Sequence, residues 1–247
     1  MIKLGRYFFR YRNVVGPSVL LVVLLFCTPR HVWGDPKLDA WMDLAGACIV
    51  GMGLAVRAIT IGYEYIVRGG RNKEVFADRL VQGGVYAHTR NPMYLGNGLI
   101  ALGCMLIINA PEFYLIALPL IVLVYAAIIL AEEAYLRGKF GGQFDAYCAR
   151  VPRILPKVSG FAESVRDMRF NWRRVLVKDY TTIFVSLLLV MFLSVFDDFH
   201  ILGSSALPAV EAALMVLVPW AVLYLVVWGL KKTRRLEGDR NGPKQAG

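Results

Sequence analysis

Apolar residues along this chain are grouped in long blocks, and short segments rich in polar and basic residues separate the blocks. The blocks have roughly 15 to 25 residues each, close to the length that an α-helix needs to cross a bilayer. The first block is the weakest, because it is short and contains Gly16 and Pro17. The pattern predicts an all-α polytopic membrane helix bundle with six spans, at about residues 14–28, 40–66, 93–110, 113–136, 180–196 and 207–230.

The composition favours a membrane protein over a soluble one. Apolar residues make up 57% of the 247 positions, and the mean hydropathy is +0.52, which is not a soluble composition. The four cysteines include no Cys-x-x-Cys pair, and the three histidines are scattered along the chain. We therefore expect neither a disulfide framework nor a metal site, and we interpret the cysteines as small core residues.

The basic residues behind the net charge of +10 are distributed unevenly. Of the 28 Lys and Arg residues, 25 lie in the N-terminal segment, in the segments after blocks two and four, and in the C-terminal tail. The opposite side holds only Arg30 and Lys37, and Arg57 lies inside block two. This positive-inside pattern places both termini in the cytoplasm. Anionic lipid headgroups are then the expected partners of the basic segments, and the charge requires no nucleic acid.

A first polar island occupies residues 83–96, between blocks two and three, and is rich in glycine, aromatic and polar residues. Pro92 has no amide hydrogen and disfavours helical geometry in the residue before it. We therefore expect Arg90 and Asn91 to be extended and Pro92 to lie in the first turn of a helix. The free amide groups at such a helix start are suited to bind an anionic group.

A second polar island, Glu132 and Glu133, lies at the end of block four. The connection between blocks three and four, residues 109–112, is short, so the two blocks are predicted to form an adjacent, antiparallel helical hairpin. Block three begins at the cytoplasmic face and block four ends there. The hairpin would therefore bring both islands to the same depth at that face.

Adjacent residues on a helix point about 100° apart, so the two acids cannot face one pocket equally. Glu133 has Arg137 four residues on, which favours a helical ion pair, whereas Glu132 has Leu136 at that spacing. We interpret Glu132 as a ligand of a bound cation. The alternative is that both acids extend to the membrane interface without a further role.

Arg57 lies about 13 Å from the cytoplasmic end of its block, at 1.5 Å per residue. That depth places it toward the bundle interior, paired with an acid or with a substrate headgroup. Glu64 lies seven residues further along the same face, nearer the interface. A purely structural role for Arg57 stays open.

An ordered set of short motifs runs through the middle of the chain. They are Gly84-x-Tyr86-x-x-x-Arg90-Asn91-Pro92-x-Tyr94-x-Gly96, Glu132-Glu133, Phe140-Gly141 and Arg150-Val151-Pro152-Arg153-x-Leu155-Pro156. This set resembles the isoprenylcysteine carboxyl methyltransferase family and the similar phospholipid N-methyltransferases, which are integral membrane enzymes that use S-adenosyl-L-methionine. The resemblance covers about residues 50–156.

The resemblance implies a cofactor site at the cytoplasmic side. A carboxylate such as Glu132 suits the ammonium and ribose groups of the cofactor, backbone amides at Pro92 or the Arg90 side chain suit its carboxylate, and aromatic faces suit its adenine and sulfonium. Tyr86 and Tyr94 supply those faces, although both could instead be interfacial aromatic residues. The expected cofactor-binding residues are Arg71, Asp78, Arg79, Leu80, Val81, Tyr86, Arg90, Asn91, Pro92, Met93, Tyr94 and Glu132.

Two departures from the family pattern concern the acceptor. The prenylcysteine enzymes have His where Asn91 stands, and an Arg on the substrate side where this chain has Ile128. A prenylcysteine carboxylate would thereby lose its counter-charge, while the cofactor site stays intact. We expect Arg57, Glu64 and Ile128 to line the acceptor side.

The sequence is interpreted as an S-adenosylmethionine-dependent membrane methyltransferase that acts on a lipid or lipid-linked acceptor. The alternatives are a prenylcysteine-type carboxyl methyltransferase and, in another class, a transporter or non-catalytic scaffold. An amine acceptor requires a base, for which Glu64, Glu133 and His88 are the nearby options, and no catalytic residue is singled out. The chain divides into an N-terminal anchor and loop (1–39), a methyltransferase core (40–157), and an interfacial segment with two spans and a polar tail (158–247), where no chemistry is assigned.

Overall fold

The computed structural model describes residues 1–27, 29–31, 34–63 and 75–233. These residues form helices joined by turns and loops and include no strand, so the all-α class is confirmed for this part of the chain. The helices are α1 (Ile2–Phe26), α2 (Pro36–Tyr63), α3 (Pro92–Ile108), α4 (Leu118–Phe140, after a π-helical turn at Phe113–Ala117), α5 (Gly142–Arg150), α6 (Phe161–Val165), α7 (Trp172–Leu202) and α8 (Leu207–Lys232). Short 3₁₀ turns lie at Gly84–Ala87 and Gly203–Ala206.

The number of candidate spans is smaller than the six predicted. Four helical stretches are long and apolar enough to cross a bilayer, and the two bent halves of α1 give a fifth when they are taken together. The helix α3 is apolar but has only 17 residues, which corresponds to about 26 Å and is short of the roughly 30 Å hydrocarbon core. The four stretches are Pro36–Tyr63, Phe113–Phe140, Trp172–Ala206 and Val210–Lys232.

The start of α3 follows from its proline, as predicted. Pro92 is the first residue of the helix, and Asn91 before it has a non-helical backbone (φ −128°, ψ 54°). At the other end Asn109 adopts a left-handed conformation (φ 38°, ψ 38°) and its amide closes the last turn on the Met105 carbonyl. Asparagine tolerates this conformation better than most residues, which explains why the helix ends there.

Glycines allow α2 and α3 to pack with their backbones in contact. A methyl group built on Gly53 would lie 2.6 Å from the Gly96 carbonyl oxygen, and one on Gly46 would lie 2.7 Å from the Gly103 carbonyl oxygen. Gly46 and Gly53 are seven residues apart on α2, and Gly96 and Gly103 are seven residues apart on α3. Both contacts therefore fall on one face of each helix. This close approach aligns the polar start of α3 with the end of α2.

The predicted hairpin of blocks three and four is wrong in its packing. The two helices meet at their connecting turn, where the Tyr114 hydroxyl donates to the Met105 carbonyl over 3.1 Å. Along their length, however, α3 packs against α2 and α4 packs against α1. A methyl group on Gly5 would collide with the Ala127 carbonyl, so α1 lies directly on α4. The helices α3 and α4 therefore face one another across a space.

The remaining helices complete the bundle on one side. The helix α7 packs against both α2 and α3, whereas α8 packs against α7. Only 6% of the most apolar 18-residue stretch of α8 is buried. The polar turn before α3 and the end of α4 lie at one end of the bundle. At the far end His31 pairs with Asp39 over 2.9 Å, and Asn109 donates to the Arg30 carbonyl over 3.3 Å.

Candidate functional site

The polar turn before α3 is fixed by the segment that follows α5. Residues 88–91 hydrogen-bond with residues 152–157 through two backbone groups and through the side chains of Thr89 and Asn91, so this turn is anchored without belonging to a sheet. The bonds are Arg90 N to Pro152 O (3.0 Å), Lys157 N to His88 O (3.0 Å), Thr89 Oγ1 to Ile154 O (2.8 Å) and Asn91 Nδ2 to Arg153 O (3.0 Å). The motif at residues 150–156 therefore has a structural role in holding the turn.

The helix α5 holds the earlier part of the same island. Tyr147 is buried, and its hydroxyl donates to the Tyr86 carbonyl over 2.8 Å. Burial raises the pKa of the Tyr147 phenol, so the group stays a neutral donor. Gly84 begins this turn with φ +55°, a conformation that side chains disfavour. These contacts hold Tyr86, which is buried and lines the site.

Glu133 is an internal counter-ion and does not pair with Arg137. It is buried, and Arg153 donates to both of its carboxylate oxygens, over 3.0 and 2.8 Å. Arg90 approaches the same carboxylate at 3.2 Å, and Arg137 pairs instead with Asp145 at 2.7 Å. The predicted ion pair between Glu133 and Arg137 is wrong, because Glu133 faces the loop that follows α5. There the guanidinium groups of Arg153 and Arg90 bind its carboxylate in place of the exposed Arg137. The hydrogen bond to Glu133 also raises the pKa of Arg153.

Glu132 lies on the open side of α4 and faces α3. The Tyr94 hydroxyl donates to Glu132 Oε1 over 2.9 Å, and the ring of Tyr94 lies 5.6 Å from that of Tyr125. Long side chains thus bridge the space between two helices whose backbones do not pack together. The two polar islands meet here, as predicted, although across a cavity and not within a tight hairpin.

That cavity has a volume of about 590 Å³ and is bounded by α1, α2, α3, α4, α5 and α7 together with residues 75–81. It brings together all of the predicted site residues that the structure describes. They are Arg57, Asp78, Arg79, Leu80, Val81, Tyr86, Arg90, Asn91, Pro92, Met93, Tyr94, Ile128 and Glu132. Arg71 and Glu64 lie outside the described residues.

Arg57 is buried and paired with an acid from α7, one of the two partners considered for it. Its Nε donates to Asp179 over 3.1 Å, and its terminal nitrogens bond to Asp179, Asn97 and Thr182. Lys178, Asp179 and Thr182 all line the cavity. The structure therefore places residues of α7, from the region to which the sequence assigned no chemistry, on the wall of the cavity.

Sequence reasoning missed the contributions of α1 and α7. A signal for α7 was present, because Arg57 is a lone cation in one apolar block and Asp179 a lone acid at the edge of another. Opposite charges at membrane depth tend to pair. No comparable signal indicated that Phe9 and Arg12 of α1 would reach the cavity.

Two of the three possible bases are engaged in structural contacts. His88 is buried, with Nδ1 2.5 Å from the Lys157 carbonyl oxygen and Nε2 2.9 Å from Ser164 Oγ. Glu133 is held by two guanidinium groups. Within the described residues no group of three His, Cys, Asp or Glu side chains is arranged to hold a metal ion.

The family model described as phospholipid methyltransferase matches residues 43–143. The chain is 30% identical over 163 residues to the nickel-cobalt-cadmium resistance protein NccN of Alcaligenes xylosoxydans xylosoxydans, covering 64% of this chain and 70% of that protein. It is 31% identical over 96 residues to the protein-S-isoprenylcysteine O-methyltransferase of Schizosaccharomyces pombe, 39% of each chain. No solved structure matches the chain.

Proposed function

This chain belongs to the phospholipid methyltransferase family, and from that premise we propose that it is an integral membrane methyltransferase that transfers a methyl group from S-adenosyl-L-methionine to a lipid or lipid-linked acceptor. The observation that carries the proposal is the cavity between the Asn91–Tyr94 turn and Glu132. It joins a helix N-terminus, a carboxylate and aromatic faces. A zwitterionic, aromatic cofactor requires all three.

The residues at the turn fit the cofactor. Arg90 Nε is buried and has no hydrogen-bond partner among the described residues, and it lies beside the amide groups at the start of α3. A carboxylate bound there would satisfy a donor that is otherwise costly to bury. Glu132 would accept from the ammonium or ribose hydroxyl groups, and Tyr86 and Tyr94 would pack against the adenine and sulfonium. Asp78, Arg79, Leu80 and Val81 would line the adenosine, with Met93 beside them.

When bound, S-adenosylmethionine supplies an electrophilic methyl group on a positively charged sulfur. The chain would hold that methyl in line with the acceptor and exclude water. Orientation of this kind is worth on the order of 7–11 kcal/mol in favourable cases. His88 and Glu133 are engaged in structural contacts. The residues that line the cavity would therefore contribute by positioning the cofactor and the acceptor. An acceptor that reacts without losing a proton needs nothing further.

The membrane helices suggest how the acceptor arrives. The cavity is bordered by candidate spans, so an acceptor could enter laterally from the bilayer, with its polar group at the cytoplasmic end. The yeast relative's name favours a prenylcysteine carboxylate as a second acceptor class. The resistance named for NccN concerns metal ions, and the described residues offer no cluster for binding them.

The test uses purified protein in detergent with methyl-tritiated S-adenosylmethionine. S-adenosylhomocysteine should raise the melting temperature through linkage, and label should pass into total lipid extract. A parallel reaction with farnesylcysteine tests the prenylcysteine acceptor class. A reaction without acceptor measures the label released by hydrolysis of S-adenosylmethionine itself. No thermal shift at millimolar ligand, together with no binding by calorimetry, would contradict the enzyme function.

A further inference from the structure

The proposed function gives the connection between α5 and α7 no role beyond holding the turn before α3. This connection, residues 151–173, contains α6 and runs into the first turn of α7, and we refer to it as the α5–α7 segment. It lies at the cavity end of the bundle, because it hydrogen-bonds with residues 88–91, but it does not line the cavity. Since α7 is a candidate span, the segment lies where the chain meets the membrane surface.

Three large apolar side chains of the α5–α7 segment are exposed. Leu155 and Val158 are 77% and 81% exposed, and Trp172, the first residue of α7, is 71% exposed. Two other aromatic residues of the segment, Phe161 and Phe170, pack instead against rings of the bundle. The fold therefore leaves three apolar side chains available to insert among lipid headgroups, the depth at which tryptophan is enriched.

The same segment carries an excess of positive charge. Residues 151–173 include five basic and two acidic side chains. Arg166, Arg169 and Arg173 are exposed, and among the described residues they form no ion pair. Exposed cations next to exposed apolar side chains match a membrane surface that contains anionic lipids, because each basic residue near such a surface adds to the attraction.

The α5–α7 segment is also joined to the turn that carries Arg90. His88, two residues before Arg90, is buried, and both of its ring nitrogens contact the segment. Nδ1 lies 2.5 Å from the Lys157 carbonyl oxygen, and Nε2 lies 2.9 Å from Ser164 Oγ. The Phe161 ring lies 5.3 Å from the His88 ring. His88 therefore links α6 directly to the turn at which the cofactor carboxylate is proposed to bind.

A second attachment fixes the other end of the segment. The Asn171 amide donates to the Gly62 carbonyl over 2.9 Å, and the ring of Phe170 lies 5.2 Å from that of Tyr63 at the end of α2. The exposed arginines thus belong to a segment that is held on the protein at both ends. Any ligand that binds the segment in this position also stabilises its contacts with the turn, by linkage.

We propose that the α5–α7 segment binds anionic phospholipid at the membrane surface and that this binding raises the cofactor affinity of the cavity through His88. The three exposed arginines would contact the headgroup phosphates, and the exposed leucine, valine and tryptophan would insert beside them. The lipid here is a surface ligand and not the methyl acceptor. Its binding does not depend on the proposed function, whereas its effect on cofactor affinity rests on that function.

The first experiment measures the melting temperature of the purified full-length protein in an uncharged detergent. Phosphatidylglycerol should raise it more than phosphatidylcholine, and added salt should weaken the difference, because salt screens exposed charges. Glycerol phosphate, which has the anionic group without acyl chains, should have no effect. An equal rise with phosphatidylcholine would overturn the selection by charge. An equal rise with glycerol phosphate would indicate a site for a free anion and overturn the assignment to the membrane surface.

Variants locate the surface that binds the lipid. The triple variant Arg166→Gln, Arg169→Gln, Arg173→Gln should lose the response to phosphatidylglycerol, and each single change should raise the lipid concentration needed for half of the response by about fivefold. The matched control, Lys3→Gln, Arg6→Gln, Arg10→Gln, removes three exposed cations from α1 and should keep the response. If both triple variants respond alike, the inference is wrong. Should the first triple variant fold poorly, as judged by its melting temperature without lipid, the single variants carry the test.

A calorimetric titration with S-adenosylhomocysteine tests the link to the cavity. In nanodiscs that contain phosphatidylglycerol the affinity should be several-fold higher than in nanodiscs of phosphatidylcholine alone. Ser164→Ala removes the hydroxyl that contacts His88 and removes no charge, so it should keep the melting response to lipid and lose the affinity response. The control Ser159→Ala, at an exposed serine of the same segment, should keep both. An unchanged affinity response in Ser164→Ala would overturn the route through His88.

The same titration separates this inference from the proposed function. No S-adenosylhomocysteine binding in either lipid would refute the methyltransferase function, and the melting temperatures would still decide whether the segment binds anionic lipid. Binding of equal affinity in both lipids would leave the methyltransferase function standing and refute the effect of the lipid on it.

Discussion

At the scale of single residues, the two adjacent acids have opposite environments. Glu133 is buried against the segment that follows α5 and is bound by Arg153 and Arg90. Glu132 faces the cavity and accepts from Tyr94. The physical reason is the 100° rotation between neighbouring helix positions, which places one acid on the packed side of α4 and the other on the open side.

Glu132→Gln keeps the shape of the side chain and removes its charge. Cofactor affinity should fall by about ten- to a hundred-fold, since a hydrogen bond to a charged group contributes roughly 1.5–3 kcal/mol. Calorimetric titration with S-adenosylhomocysteine measures the change. The melting temperature without ligand should stay near that of the wild type, and an unchanged affinity would remove Glu132 from the site.

Glu133→Gln should act on stability before binding. The substitution leaves the guanidinium groups of Arg90 and Arg153 without their carboxylate, at a cost of about 1–3 kcal/mol in the free energy of unfolding. Chemical denaturation in detergent measures it. The control is Asp145→Asn, which removes the exposed partner of Arg137 and should change stability little. Equal stability of the two variants would contradict the buried role of Glu133.

At the scale of helices, close packing of α2 on α3 depends on glycine. Gly96 sits against the Arg57 side chain, and an added methyl would lie 2.6 Å from Arg57 Cγ and 2.9 Å from the Gly53 carbonyl oxygen. Gly96 therefore leaves room both for the close contact between α2 and α3 and for the Arg57 side chain, which extends toward α7. Gly98, two residues on, has open space around it.

Gly96→Ala should destabilise the protein by about 1–3 kcal/mol, the usual cost of overpacking. Gly98→Ala is matched in helix and chemistry and should be neutral or stabilising by up to about 1 kcal/mol, because alanine favours the helix. Thermal unfolding of both variants measures the difference. If the Gly96→Ala and Gly98→Ala proteins were equally stable, the contact between α2 and α3 would accommodate an added methyl group without loss of stability.

The ion pair between α2 and α7 gives a second test at this scale. Asp179→Leu should cost about 3–5 kcal/mol, because it leaves the buried charge of Arg57 without its carboxylate. The double variant Arg57→Leu, Asp179→Leu should cost clearly less than the single change. A double-mutant cycle by chemical denaturation measures the coupling. Additive costs would mean that the two residues act independently.

At the scale of the whole molecule, charge divides the bundle into two ends. Among the described residues, the basic side chains of Arg12, Arg79, Arg90 and Lys178 lie at the end that carries the cavity, whereas the far end contains Asp39, Asp43, Asp197 and Asp198 within electrostatic reach of one another. Hydrogen bonds between residues 88–91 and 152–157 place both segments on one side. From the positive-inside rule we predict that the cavity end faces the cytoplasm.

Reporter fusions after Arg79 and after Lys157 should therefore both give cytoplasmic signals, and a fusion after Pro36 should give a signal on the far side. An intact tagged protein probed with a membrane-impermeant reagent is the control for effects of truncation. Opposite signals at Arg79 and Lys157 would contradict the contacts that join these segments. A cytoplasmic signal at Pro36 would reverse the orientation.

The sequence by itself determined the helical class, most helix positions, the start of α3 at Pro92, and the residues that line the cavity from its two polar islands. The first three features follow from local rules, namely continuous apolar length and a missing amide hydrogen. The lining residues follow from the resemblance of the polar islands to a known methyltransferase family. Only the tertiary structure decided the number of candidate spans, the partner of Glu133, the separation of α3 from α4, and the arrival of Arg12 and Asp179 at the cavity. Those outcomes depend on which helix faces pack together, and in a chain that is apolar on all sides of its helices the pattern does not mark one face over another. Glycines such as Gly5 and Gly96 set the packing by allowing close approach, and their effect appears only once the neighbouring helix is in place.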